Sequence, residues 1–452
     1  MSELPSNWKT VGLLDISMLV RGVTYTKNDA SEVAFDGSTP VLRANNIQDR
    51  KFVLSDLVYV PNSLVSEAQQ ISIGDVVVAT SSGSINVVGK AAQARVDMQA
   101  GFGAFCALLR PCSEVNAKYF GHYFSTDAYR MSVSAMARGV NINNLKKDHF
   151  EKLVLPLAPL NEQKRIADKL DSILARVDAC RERLDRIPVI LKRFRQAVLA
   201  AATSGILTEE WRKQMGLGFE WTVSDVQSVA QIGTGSTPLR SNSSFYSSEG
   251  TPWISSAATS KPIVMSADEF VTDAAIIAHR LKIFPVGTLL VAMYGEGKTR
   301  GQVTELGIAA TINQACAAIV VDEKSTKKAF VKLVLQANYM EMRELAKGGN
   351  QPNLNLSKIK KFPLFLPTLE EQTEIVRRVE ELFAYADRIE ARYQAARARV
   401  DKLTPAILAK AFRGELVPQD PSDEPASVLL ERIRAADAIT PKPRRSRNPA
   451  AK

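Results

Sequence analysis

The sequence predicts an α+β protein: two β-rich domains separated by two long antiparallel coiled-coil helices, with approximate two-fold symmetry. Three observations predict it. First, the chain repeats itself. LNEQKRIADKLDSILARVD from Leu160 is answered by LEEQTEIVRRVEELFAYAD from Leu369, and the offset of 209 residues holds without a gap through Ala197 and Ala406 to Gly205 and Gly414. A period this long exceeds any solenoid repeat and marks a duplicated domain-plus-helix unit. Second, apolar residues within the repeat alternate spacings of four and three. They are Ile166, Leu170, Ile173, Val177, Cys180, Leu184, Ile187, Leu191, Phe194 and Val198, and in the second copy Ile375, Val379, Leu382, Ala386, Ile389, Tyr393, Ala396, Val400, Leu403 and Ile407. This is a coiled-coil seam. Third, the segment before each helix carries short, often β-branched runs broken by Gly, Asn, Ser and Pro, the pattern of strands and turns.

Residues 1–156 form the first domain. TPVLRANNIQ (39–48), GDVVVAT (74–80) and GAFCALLRP (103–111) read as strands; a helix follows near 116–137, then the polar loop RGVNINNLKK (138–147) and a last strand near 153–157. Residues 157–215 are the central helix region. Pro188 lies inside it and removes a backbone donor, which predicts a kink or break near Ile187. Residues 216–366 repeat the first plan loosely: Trp8 is matched by Trp221, Thr39-Pro40 by Thr251-Pro252, Gly74 by Gly287 and Cys106 by Cys316. Residues 367–418 are the distal helix region, where Thr404-Pro405 reads as an N-cap and first-turn proline restarting a short helix. Gly205 and Gly414 stand where a C-terminal glycine ends each helix. Residues 419–452 comprise a short helix and a basic tail, PKPRRSRNPAAK, of disordered composition.

Each seam requires a partner, and the other copy supplies one. A parallel pairing would make the second domain return the chain by a full helix length, roughly 65 Å for about 43 residues. An antiparallel pairing avoids this and puts one domain at either end of a spacer.

The formal net charge is +10, which points to a polyanion, because clustered Lys and Arg gain free energy by releasing counterions from phosphates. Much of the excess sits in KRFRQ (192–196) and in the tail. Four cysteines without a CxxC, and three histidines, argue against a disulfide framework or a zinc site. No apolar run reaches the roughly 20 residues of a membrane span, and MSELPSNWKT lacks the charged and apolar regions of a signal peptide. A cytoplasmic location without membrane contact is expected.

Signals for catalysis fail on inspection. GEGKT (295–299) resembles the end of a P-loop, but the first glycine of GxxxxGK(S/T) would fall on Ala292. GTGSTP (233–238) lacks the third glycine of a dinucleotide loop. There is no DPPY or NPPF tetrad, no HExxH, no GxSxG and no metal-ligand cluster. No catalytic centre, metal or cofactor is expected in this chain.

What remains is a set of amide-rich and basic loops. Arg43, Asn45, Asn46 and Gln48 flank a strand; Asn and Gln can pair bidentately with adenine and Arg with guanine, although tandem Asn can equally close a turn. Ser81, Ser82 and Ser84, with Lys90, occupy a loop equivalent to that of Tyr294, Lys298 and Arg300. Small residues there permit close approach to phosphate while the cations supply charge. Asn141, Asn143, Asn144, Lys146 and Lys147 are matched by Asn350, Gln351, Asn353 and Asn355. Ser236, Thr237, Arg240, Ser255, Asn313 and Gln314 complete the candidate DNA-contacting set.

Together these stretches resemble the specificity (S) subunits of type I restriction-modification systems, particularly the enterobacterial type IA branch. The resemblance covers nearly the whole chain. GVTY (22–25), LRANNIQ (42–48), SSGS (81–84), VGKAA (88–92), FGAFC (102–106) and NINNLKK (141–147) carry it in the first domain. LNEQKRIA, PVILKRFRQAVL, VAMYGEGKTRGQV, TINQAC (311–316), EIVRRVEELFAYAD and ILAKAFRGEL carry it further on. It implies two target-recognition domains, each reading one half of a bipartite asymmetric sequence in double-stranded DNA. It also implies two methyltransferase subunits that bind S-adenosylmethionine, and two restriction subunits that use ATP and Mg. The specificity subunit itself would catalyse nothing. Candidates for methyltransferase docking are Glu162, Gln163, Leu174, Glu371, Gln372 and Phe383, with packing against the chain's own domains as the competing reading. Two other classes stay open: a non-catalytic coiled-coil protein scaffold with incidental charge, and a fused restriction enzyme with a hidden active site.

Overall fold

A computed structural model describes residues 4–137, 143–295, 297–346 and 353–439. The chain folds as two compact units, one formed by the chain up to Leu184 together with the chain from Ala395 onward, the other by Asp185–Gln394. Each unit thus owns one β-rich domain, the start of one long helix and the end of the other.

In the first unit, strand Ser17–Arg21 pairs antiparallel with Cys106–Pro111, which pairs with Val76–Ala79, which pairs with Ala91–Gln93. The run Val76–Ala79 is buried on both faces, as an uninterrupted apolar strand must be. Its period of two decides what covers each face. Val76 and Val78 pack with Tyr119, Phe120 and Val133 of the helical layer, whereas Val77 and Ala79 pack with Leu42, Ile47 and Phe102. Leu42 and Phe102 belong to a smaller sheet in which Gly101–Phe102 runs parallel to Ser38–Leu42 and Val58–Pro61 antiparallel. The single helix expected at 116–137 is two helices, Ala117–Tyr123 and Asp127–Met136. The Thr126 hydroxyl accepts from Tyr129 N at 3.2 Å and caps the second one.

The second unit repeats the plan. Ala230–Thr234, Cys316–Val321 and Leu289–Ala292 stand for the first three strands, followed by Val303–Leu306 and Ile263–Val264. The parallel pair recurs as Thr251–Ile254 beside Thr311–Ile312. Burial again alternates, Leu289 and Val291 facing Phe330 while Leu290 faces Phe284 and Ile312.

The long helices are Leu160–Thr203 and Leu369–Ala411. In the first unit Ile166, Leu170 and Leu174 share a core with Leu408, Ala411 and Phe412; in the second, Val198 and Ala202 share one with Ile375 and Val379. Start packs with end in both cases, so the helices pair antiparallel. Gly205 and Gly414 close them at φ 78° and 76°, the left-handed conformation that glycine adopts without a Cβ penalty.

Several expectations are corrected. Of the kink or break expected near Ile187, the break is absent, since helix runs unbroken through Pro188, and Pro405 likewise lies inside a continuous helix rather than restarting one. Pro188 is exposed, which lets water satisfy the carbonyl that loses its donor. Along the seam, Cys180 and Leu403 are exposed, and Leu174 is buried where Ile173 is only half-buried. The helix after residue 419 is Ala426–Ile439, whose Ala426, Leu429 and Ile433 enter the first unit's core. The basic tail beyond it lies outside the described residues. Among the described residues no helix is long and apolar enough to cross a membrane.

Candidate nucleic-acid interface

In the first unit, sheet register brings the candidate loops to one end. Cys106 pairs with Ala79 and Ala107 with Arg21, so the chain leaves the sheet there at Thr80, Phe105 and Gly22. Thr80 N and Ser81 N both donate to the Phe105 carbonyl, at 2.8 and 3.2 Å. Ser81–Ser82 then pairs antiparallel with Asn143–Asn144, and Leu145 N donates to Thr80 O at 2.8 Å. Two stretches separated by sixty residues therefore become one surface, carrying half-buried Ser81, Ser82 and Asn143 and exposed Ser84, Asn144 and Lys146. Lys90 is also exposed, its strand returning where Gly89 N donates to Ala79 O at 2.8 Å. Phe105, 68% exposed at the same turn, was missed by sequence reasoning; an aromatic between two small residues in FGAFC was the available signal. Asn141 lies outside the described residues.

A second piece is the hairpin in which Ile47–Gln48 pairs with Lys51–Phe52. Asn45 and Gln48 are exposed on it, and Gln48 Nε2 donates to Asn45 O at 3.0 Å. Asn46 is a correction. Its Oδ1 accepts from Arg43 N at 2.8 Å, and its Nδ2 donates to Val53 O and Ser55 O at 2.8 and 2.7 Å. Buried with both ends of its amide engaged, it closes a turn and has nothing left to offer a base. Arg43 is half-buried and donates to Asp56 O at 2.6 Å.

The second unit assembles its loops at the corresponding end of its sheet, where Thr234 pairs with Ala317 and Ala292 with Cys316. Ser236 N donates to Ile312 O at 3.1 Å, Met293 N to Ala315 O at 2.7 Å, and Leu354 N to Met293 O at 3.1 Å. Those bonds gather Ser236, Thr237, Asn313, Gln314, Tyr294 and Asn353 around one rim. Thr237 donates to Gln314, and Tyr294 and Lys298 are exposed. The loop of Lys298 and Arg300 is tied back, Tyr339 OH donating to Lys298 O at 2.7 Å and Arg343 Nη1 to Arg300 O at 3.2 Å. Asn313 accepts from Ala315 N at 3.1 Å to close its turn, and Asn355 caps helix Leu356–Lys360 by accepting from Lys358 N at 2.9 Å. Arg240 lies over the rings of Tyr246 and Trp253, at 4.7 and 4.9 Å, and is paired with Glu269, so its charge is already compensated. Ser255 is half-buried beside the turn Ser256–Ser260. Asn350 and Gln351 lie outside the described residues.

One feature is common to both rims. A Cβ on Gly22 would lie 2.1 Å from the Gly103 carbonyl oxygen, and one on Gly235 would lie 1.6 Å from that of Ile312. Only glycine permits the chain to cross so close as it enters the loop. Gly235, which failed as part of a nucleotide signature, thus has a steric role.

Five of the six docking candidates are corrected next. Glu162, Gln163, Glu371 and Gln372 are all buried. Glu162 accepts from Trp8 Nε1 at 2.9 Å and from Gln419 Nε2 at 2.5 Å, and burial raises its carboxyl above the ordinary carboxylate range. Gln163 accepts from Asn116 N at 2.9 Å and donates to Ala158 O at 2.8 Å. In the second unit Glu371 accepts from Thr208 at 2.6 Å, from Trp221 Nε1 at 3.2 Å and from Arg212. Gln372 accepts from Lys327 N at 2.7 Å and donates to Pro367 O at 2.9 Å. The repeated Glu-Gln pair therefore bolts each helix to its own domain. Leu174 is buried in the first unit's core, and Phe383 packs half-buried on the second's.

Burial pushes the Cys106 and Cys316 thiols up to about 12, which leaves them unreactive. Among the described residues no group of His, Cys, Asp or Glu could hold a metal ion.

Duplicated β-rich domains with matched polar rims, each packed against a pair of antiparallel helices, define the class of protein: a tandem-domain α+β chain with a helical spacer. The sequence profile of the type I restriction modification DNA specificity domain matches residues 5–188 and again 219–396. The StySPI specificity subunit of Salmonella potsdam is 37% identical, over 99% of both chains. The EcoKI specificity subunit of Escherichia coli K12 is 36% identical, over 97% of both. The HsdS subunit of Thermoanaerobacter tengcongensis shares the fold, with a TM-score of 0.60 at 18% identity over 92% of this chain and 98% of that one. A chain from a study of assembly and conformational transition of the type I R-M system gives 0.67 at 19% identity, over 92% and 100%. This chain belongs to the family of type I restriction-modification specificity subunits.

Proposed function

We propose that this chain is the non-catalytic DNA-reading subunit of a type I restriction-modification complex, each domain recognising one half of a bipartite, asymmetric sequence in double-stranded DNA. Two methyltransferase subunits dock on the helices, and two restriction subunits complete the assembly in the bacterial cytoplasm. Those partners bind S-adenosylmethionine, ATP and Mg. The observation that carries this reading is the pair of polar rims at the same end of two equivalent sheets. The scaffolds are matched while the loops differ: Ser81, Asn144 and Lys90 in one, Thr237, Gln314 and Lys298 in the other. Different loops on one scaffold suit different half-sites.

The test is base preference, measured with the full chain co-expressed with its methyltransferase subunits. Asn45→Ala with Gln48→Ala is expected to relax one half of the target and leave the other intact, each lost bidentate contact being worth about 1–3 kcal/mol of discrimination. Lys298→Ala is expected to weaken binding through the other domain and to reduce its salt dependence. Unchanged preference in both halves for every rim substitution would sink the assignment. Affinity of that complex indifferent to salt and sequence would favour the protein-scaffold reading instead.

A further inference from the structure

The hairpin that carries Asn45 and Gln48 turns through Asp49 and Arg50, both at positive φ, 45° and 65°. A two-residue hairpin turn takes positive φ at both centres, which is why Asn-Gly is the favoured pair. An aspartate and an arginine are strained there. The arginine side chain has a destination, however: its guanidinium reaches Asp178 of the first long helix at 3.6 Å. Beneath the hairpin, between it and the helix, lies a cavity of about 670 Å³ lined by Phe52, Gln93, His122, Asp171 and Leu174. The strands are two residues each, too short to hold a hairpin rigid unaided. Its root is held by buried Ile47 and Asn46; at its tip Arg50 is the residue that meets the helix.

The duplication supplies an internal comparison. Asp387, the counterpart of Asp178, is paired with Arg195 of the other long helix, which also meets Glu390 at 3.0 Å. The residue corresponding to Arg195 is Thr404, and the one corresponding to Glu390 is Arg181. In the first unit the other helix thus offers Asp178 a threonine where Asp387 has an arginine. Asp178 meets Arg181 of its own helix at 3.2 Å and the hairpin's Arg50, while Arg181 continues to Asp401 at 3.4 Å. The acid that joins two helices in one unit joins a helix to a loop in the other.

We propose that Arg50 and Asp178 are positioning residues for recognition of the first half-site: their ion pair holds the strained hairpin at a set height over the helix and so aims Asn45 and Gln48. This rests on the reading of that hairpin as a DNA-contacting element. The experiment uses the full chain with its methyltransferase subunits, comparing methylation of the correct target with targets altered by one base in either half. Arg50→Gly and Asp178→Asn are each expected to lower discrimination in the first half about two- to fivefold, the range of a half-exposed ion pair. The second half should be untouched, and the double variant should be no worse than the worse single. Arg50→Lys should retain most of the discrimination. Arg50→Gly should keep or raise the midpoint of thermal unfolding, since φ 65° suits glycine, which separates misaiming from misfolding. If both single variants leave first-half discrimination intact while Asn45→Ala with Gln48→Ala lowers it, the positioning role is wrong. Single effects that multiply in the double variant would overturn it as well. Should Asn45→Ala with Gln48→Ala also change nothing, the hairpin's reading role fails, and this proposal with it.

Discussion

Glu371 and Glu162 occupy equivalent positions and each accepts from an equivalent tryptophan, but their other donors differ. Glu371 meets the guanidinium of Arg212, and both side chains are under 10% exposed; Arg212 also lies over the Phe219 ring at 5.0 Å. Removing one member of such a pair strands a buried charge, so Glu371→Ala should cost about 3–5 kcal/mol. Among the described residues Glu162 accepts from the neutral donors Trp8 and Gln419, with Arg165 acting only through space, and Glu162→Ala should cost about 1–3 kcal/mol. Urea unfolding of the two variants tests the order. His122 gives a pH dependence. Burial, opposed in part by Asp171 at 2.9 Å, holds its imidazole down to about 4 from the ordinary 6.5. Between those values the unfolded chain binds a proton that the native chain refuses. The stability is therefore fully present above pH 6.5 and lost as pH falls toward 4, by at most about 1.4 kcal/mol per pH unit. His122→Gln should flatten that window in urea midpoints measured at pH 5 and 7.

At the scale of elements, seams and strands were legible because periodicity is a local property. Positions such as Ile166, Leu170, Ile375 and Val379 are buried where the spacing puts them. The prolines were not legible. A proline's local penalty says break, but each helix has dozens of other residues to hold it, and Pro188 faces water. Pro188→Ala should accordingly raise the unfolding free energy, by up to about 3 kcal/mol, read by chemical denaturation. The glycines at the rims behave oppositely. Gly22→Ala should disturb the loop of the first domain and Gly235→Ala that of the second, because the added carbon meets backbone rather than a yielding side chain. Half-site-specific loss of binding would check this.

For the whole molecule, the proposed reading makes the helices the measure of the target's spacer. Inserting seven residues into both long helices should shift the separation of half-sites by about 10 Å, or three base pairs; a methylated-adenine map with unchanged spacing would refute this. The sequence by itself determined the duplication, the antiparallel pairing and the strands that carry the loops, since each follows from order and period along the chain. Tertiary structure decided which polar residues remain available. Asn46, Glu162, Gln163, Glu371 and Gln372 looked like ligands for something, and their partners proved to be Val53, Trp8, Asn116, Trp221 and Lys327 of the same chain. A polar side chain's freedom depends on donors and acceptors that folding brings from as much as 257 residues away, and no local pattern encodes that.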